Sequence, residues 1–185
     1  MSLSPTCFGQ GAPEATGRAD VYRVFLTTFE IYNGVQWLTL FSGTSSVVDI
    51  ASAPDTSTSP GNFLSGLSVP DGTYSQVRVT PADTFTIKGS VTNGATSYYT
   101  TSSTGSGGGC LTSTSGPAQE CTLAISGVTA QANSLSPSIT VTNGVPDHRV
   151  RVNFDTSNAL GLHTAGPDSH KEIFPEVPTV TISVQ

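Results

Sequence analysis

Charge is scarce in this 185-residue chain. Only 11% of residues are Asp, Glu, Lys or Arg, against about 25% in an average soluble domain. Lysine occurs only at Lys88 and Lys171, so long helices with a solvated charged face are not expected. Seven Lys and Arg stand against thirteen Asp and Glu, giving a net charge of −6. Non-specific nucleic-acid binding needs a basic footprint, so a nucleic-acid partner is not expected. Docking on anionic lipid by charge is disfavoured for the same reason. No apolar run approaches the roughly 20 residues of a membrane-spanning helix. No segment has a capped 3.6-residue apolar period. Residues 1–20 lack the basic and apolar regions of a signal peptide. Export is expected nonetheless, with any leader outside this numbering; a cytosolic protein is the alternative.

What is abundant is hydroxyl and β-branched chemistry. Serine and threonine make up roughly 28% of the chain. Thr, Val, Ile, Phe and Tyr suit pleated, half-buried surfaces. Three cysteines are present, Cys7, Cys110 and Cys121. Cys110 and Cys121 bracket the polar stretch Leu111–Glu120, a span suited to a local disulfide in an oxidising compartment. Cys7 is then left over, as a tail cysteine or a partner for another chain.

Turn signals divide the chain into short strands. Residues 1–19 read as a polar, flexible arm. Val21–Tyr32 and Val35–Phe41 flank Asn33-Gly34, a hairpin signal because both residues tolerate positive φ. Ser46–Ala53 is a short apolar piece, and Asp55–Asn62 a loop. Tyr74–Thr80 alternates cleanly after the Pro70-Asp71-Gly72 turn. Phe85–Gly89 and Thr96–Thr101 flank Asn93-Gly94. Thr101–Gly109 is low-complexity Ser/Thr/Gly and reads as a mobile loop. Cys121–Ile125, Ser138–Thr142, Arg149–Phe154 and Thr179–Val184 complete the set. The fold class expected is all-β, an antiparallel β-sandwich of about seven to ten strands with long Ser/Thr/Gly loops. A single domain is expected over 20–185.

The order of certain residues resembles a known family. Gly34, Trp37 and Leu40 match its return strand, and Val48-Asp49-Ile50 its next segment. Gly72, Tyr74, Gln76, Val77 and Arg78 carry the most specific piece. Val152-Asn153-Phe154-Asp155 and Pro178 match it loosely near the end. The family is DUF4382, exported bacterial and archaeal domains of uncharacterised function. The resemblance covers residues 20–90 well and 137–185 loosely. It implies an Ig-like or transthyretin-like sandwich outside the cell, and no reaction.

Candidate sites are few, and each has a plain structural reading beside it. His163, Asp168, His170 and Glu172 offer imidazole and carboxylate metal ligands, or simply a solvated loop around Gly166-Pro167. His148 beside Asp147 is a turn residue first. Turn carboxylates such as Asp55, Asp71, Asp83 and Asp155 are suited to Ca²⁺, but no spaced Ca²⁺ loop motif appears; no other cofactor is expected. Gly105–Gly109 lacks the Lys and following helix of a phosphate loop. Tyr74 reads as a turn-bracing tyrosine, and Arg78 as a solvated strand residue. Trp37 reads as core. With Tyr32, Tyr98 and Tyr99 it is also a candidate sugar platform.

No catalytic constellation stands out, and an enzyme is not expected; a buried His–carboxylate pair in a cleft would revive that reading. The function expected is an extracellular structural or assembly subunit of a surface, matrix or filament. It would self-associate through sheet edges or terminal segments. Val180, Ile182 and Val184 on the terminal strand are the candidate contacts, or else that strand closes its own sandwich. The alternative is a carbohydrate- or surface-polymer-binding module.

Overall fold

A computed structural model describes residues 11–52, 68–165 and 169–185. Cys7, Asp168 and the Asp55–Asn62 stretch lie outside them. Among the described residues there are sixteen strands and no helix. The first five are β1 (Ala15–Gly17), β2 (Ala19–Val24), β3 (Leu26–Tyr32), β4 (Trp37–Ser42) and β5 (Val48–Asp49). Next come β6 (Gly72–Pro81), β7 (Thr84–Asn93), β8 (Thr96–Thr104), β9 (Cys110–Ser113) and β10 (Cys121–Ala124). The last six are β11 (Gln131–Thr142), β12 (Val145–Pro146), β13 (Val150–Asp155), β14 (Leu160–Ala165), β15 (His170–Pro175) and β16 (Thr179–Val184).

All pairings are antiparallel. The strands form a nine-stranded sheet, a five-stranded sheet and a two-stranded ribbon, and the large sheets curl into two half-barrels. The nine-stranded order is β1-β14-β15-β9-β8-β7-β2-β5, with β10 also on β7. The five-stranded order is β12-β11-β6-β3-β4, and the ribbon is β13-β16.

The turn signals work as their chemistry dictates. Asn33 Oδ1 accepts the Val35 and Gln36 amides at 3.0 and 2.9 Å, with Gly34 at φ 90°. Asn143 and Gly144 both have positive φ, 54° and 72°, as a two-residue turn between Thr142 and Val145 requires. Tyr74 donates its hydroxyl to the Pro70 carbonyl at 2.7 Å, bracing the turn as expected.

The strand count exceeds the seven to ten expected. The excess comes from very short pieces and from polar segments that read as loops. Part of the supposed arm, Ala15–Gly17, pairs with β14. The supposed mobile loop is strand as far as Thr104. The His/Asp loop at 163–172 is largely a hairpin, β14 against β15. The terminal strand β16 pairs with β13 of its own chain.

The two halves are unequally packed. The nine-stranded half buries eighteen clustered residues, Tyr22, Phe85, Ile87 and Leu160 among them. The five-stranded half clusters only Ile31, Tyr74 and Val141, with Phe29, Leu40 and Val77 half-buried beside them. Its outer face carries a separate assembly. Arg78 pairs with both Glu30 oxygens at 2.7 Å and lies 4.2 Å over the Trp37 ring, which packs on Tyr32 at 5.3 Å. Two expectations are corrected here. Trp37 sits on the outward parity of β4, not in the core. Arg78 is not merely solvated, because Glu30 lies opposite it in register.

Cys110 and Cys121 form the expected disulfide, with Cα atoms 6.1 Å apart. It ties the start of β9 to β10 and points to an oxidising compartment. No helix among the described residues is long and apolar enough to cross a membrane. Cys110→Ser with Cys121→Ser should lower unfolding free energy by about 3 kcal/mol. Urea denaturation of oxidised wild type against the variant measures this.

Candidate functional site

The proposed metal ligands fall on the β14–β15 hairpin, and the alternation of the strands sorts them. His163 pairs with Glu172 in register, so both project from one face. Phe174 and Glu176 continue that face along the chain. His163 is 7% exposed, and Glu172 and Glu176 are fully buried. His170, at the open end of β15, is exposed. Among the described residues no three His, Cys, Asp or Glu side chains are grouped to hold a metal. Asp168 lies outside them.

The Glu172 carboxylate is occupied by backbone. Gly107 N–H donates to Oε1 at 3.0 Å and Gly109 N–H to Oε2 at 2.8 Å. The glycines here are steric necessities. A Cβ on Gly105 would overlap the Glu172 carboxylate. One on Gly107 would lie 2.5 Å from Ala165 Cβ and 2.9 Å from Glu172 Oε2. One on Gly109 would lie 2.5 Å from the Phe174 ring. The Ser/Gly stretch is thus a cradle for a buried carboxyl group, giving its oxygens the hydrogen bonds that burial would otherwise deny them.

Glu176 lies over Gly161, where any side chain would overlap it. From there its Oε1 reaches His163 Nε2 at 3.4 Å, and the His163 ring meets Phe174 edge-on at 5.4 Å. Glu176 Oε2 has no hydrogen-bond partner among the described residues. This is a buried His–carboxylate pair, but it is closed to solvent and lines neither groove described below. It braces the hairpin as packed.

The hairpin's other face is tied to the chain start. Glu14 accepts from Lys171 Nζ, and from Thr164 Oγ1 at 2.6 Å. Hydrogen bonding to Lys171, then Thr164, holds the Glu14 carboxyl below the usual carboxylate range. Hydrogen bonding to Arg78 likewise lowers Glu30. His148 Nδ1 lies 2.9 Å from Asp147 Oδ1 and lowers that carboxyl. The Asp71 carboxyl is lowered by the Gly144 and Asn143 amides.

Two open grooves stand out among the described residues. The first, of about 420 Å³, is apolar and runs over the inner face of the five-stranded sheet. Phe29, Ile31, Leu40, Val77 and Ile139 line it, and Arg149 and Val150 stand at its side. The second, of about 820 Å³, is polar and lies between the start of β2 and the β13–β16 ribbon. The ribbon explains why the two differ. In its register, Val150, Val152 and Phe154 oppose Val184, Ile182 and Val180, making one apolar face. Arg151, Asn153 and Asp155 oppose Ser183, Thr181 and Thr179 on the other.

Sequence reading missed the Gly105–Gly109 cradle, Glu176 and both grooves. The glycine run itself was the available signal. No family model, no curated protein and no solved structure matches this chain.

Glu172→Gln removes one acceptor from two buried amides and should cost about 1–3 kcal/mol. Gly107→Ala should cost a similar amount, about 1–3 kcal/mol, through overpacking. Thermal and urea unfolding of both variants test the cradle.

Proposed function

We infer that this protein is a non-enzymatic extracellular assembly subunit. On this reading the five-stranded half-barrel is the surface that a second copy completes. The carrying observation is the open apolar groove on that half, flanked by exposed valines. Val145, Val150 and Val152 are 66, 40 and 43% exposed, and all three adjoin the groove or the ribbon beside it. Exposed valines beside an open apolar groove suit an interaction surface. The ribbon packs on its own chain through β16 and β11, and among the described residues the other edge of β13 is left open to a partner.

The edges favour the same reading. Among the described residues, β4 and β13 each leave one edge unpaired, a template for strand addition. Arg149, exposed just before β13, belongs to a chain with net charge −6, which suits contact with an acidic surface of another copy. The contact then joins unlike patches, head to tail, and such contacts build rings or filaments. Val180, Ile182 and Val184 serve by forming the ribbon's apolar face with β13. The disulfide supports export, and the Ser- and Thr-rich surface suits an extracellular setting. Kinship with DUF4382 and an Ig- or transthyretin-like ancestry belong to the same proposal. They are supported by the meeting of the motif residues Trp37 and Arg78 on one face.

Light scattering coupled to gel filtration, with negative-stain imaging, tests the assembly. Wild type should form oligomers or filaments as concentration rises. Val150→Glu with Val152→Glu should weaken association at least about tenfold while leaving the monomer folded. A wild-type protein that stays monomeric at all concentrations overturns the reading.

A further inference from the structure

The sheet edges differ in how much ladder they offer. β1, β5, β10 and β12 are only three, two, four and two residues long, and short edges template little. β11 outruns β12, but β16 packs against it. Among the described residues the long open edges are therefore β4 and β13, six residues each. Trp37–Ser42 carries neither a charge nor a proline, two of the devices that keep an edge from pairing. β4 ends the five-stranded sheet on one side, and the ribbon follows β11 on the other with β13 beyond β16.

Hydrogen-bond phase decides how two such edges can meet. At the hairpin the Asn33 amide donates to the Gln36 carbonyl at 3.2 Å. Antiparallel pairs alternate, so Leu38 exchanges bonds with Ile31, while Trp37 and Thr39 turn their main-chain groups to the open edge. A bulge after Thr39 ends the regular stretch. On the ribbon, Arg149 and Gln185 exchange both amide bonds at 2.8 Å. By the same alternation Arg151 and Asn153 bond to β16, and Val150, Val152 and Phe154 turn their main-chain groups outward. Leu38 lies with Ile31 on the apolar inner face of its sheet. Antiparallel addition sets outward-bonding residues opposite each other, Thr39 against Val152, and carries Arg151 and Asn153 onto that apolar face. Parallel addition sets each outward-bonding residue opposite an inward-bonding one. Val152 then faces Leu38 on the apolar side, and Asn153 faces Thr39 on the outer side, where both are exposed.

We propose that β13 of one copy adds in parallel to β4 of the next, with Val152 opposite Leu38. The Val152 amide donates to the Trp37 carbonyl, and the Thr39 amide donates to the Val152 carbonyl. Val150 and Val152 extend the inner apolar face past β4. Each copy keeps one edge of each kind, so the contact repeats head to tail. This inference rests on the assembly reading and names the two main-chain edges that make the contact.

The test uses the full chain and light scattering. Thr39→Pro and Val152→Pro each remove an amide that the copy's own ladder does not use. Each alone should associate at least about tenfold more weakly than wild type. Mixed one to one, they should form dimers and nothing larger, because each supplies the edge the other lacks. In a Cys7→Ser background, Thr39→Cys mixed with Asn153→Cys should give a covalent dimer on mild oxidation. Thr39→Cys mixed with Val152→Cys, the antiparallel alignment, should give at least about tenfold less. The crosslink needs no proline, so it decides the matter where a proline variant fails to fold. A wild type that stays monomeric overturns the assembly reading and this inference with it. A wild type that assembles while the Thr39→Cys and Asn153→Cys copies fail to crosslink overturns the edge pairing alone. So does assembly of both proline variants at wild-type strength, or dimerisation of either one by itself, which would join like edges.

Discussion

At Gly89 the chain passes closer to its neighbours than any side chain allows. A Cβ there would lie 2.5 Å from the Arg18 carbonyl oxygen and 2.6 Å from a Leu160 methyl. This approach sits in the middle of β7, whose inward residues Phe85, Ile87 and Val91 are buried to 1% or less. One edge of β7 carries β2. The other carries β10 along its first half and β8 along its second. The sheet divides there, and the disulfide holds β9 to β10 across the division. Close packing at Gly89 therefore sets where the N-terminal strands, the β14–β15 hairpin and the disulfide meet.

The same chain solves its second half differently. The five-stranded sheet has its turns, its register and a well-tied outer face, yet its inner face is only partly covered. The amphipathic ribbon is the element that relates the two. Its apolar side borders the uncovered face, and its polar side forms the wall of the polar groove. One two-stranded element thus separates an apolar face from a polar one, and the period of two along β13 is the cause.

Much of this was legible in the residues. The all-β character, the three Asn-Gly turns, the Tyr74 brace and the Cys110–Cys121 bridge all follow from local chemistry acting over a few positions. What was not legible depended on long-range pairing. Trp37 looks like core until β6 sets Arg78 above it. His163 and Glu172 look like loop ligands because the turn residues after Ala165 are conspicuous. The alternation that buries both is short and mixed in polarity. The Gly105–Gly109 stretch looks disordered by composition, because nothing nearby announces a carboxylate more than sixty residues away. The polar groove was invisible for the same reason: Arg18 and Arg151, which both line it, are distant in sequence and meet only through the fold.

The glycine cradle also bears on how this chain can change over generations. Ordinarily a Ser/Gly-rich run drifts freely, and its length varies. Here the glycines at 105, 107 and 109 are bound to a single distant acid, and Gly161 to another. A descendant that lost Glu172 would be released from needing glycine at 105, while 107 would still face the Ala165 Cβ. The positions should therefore vary together or not at all, so that the least distinctive stretch of the sequence carries one of its strictest long-range couplings.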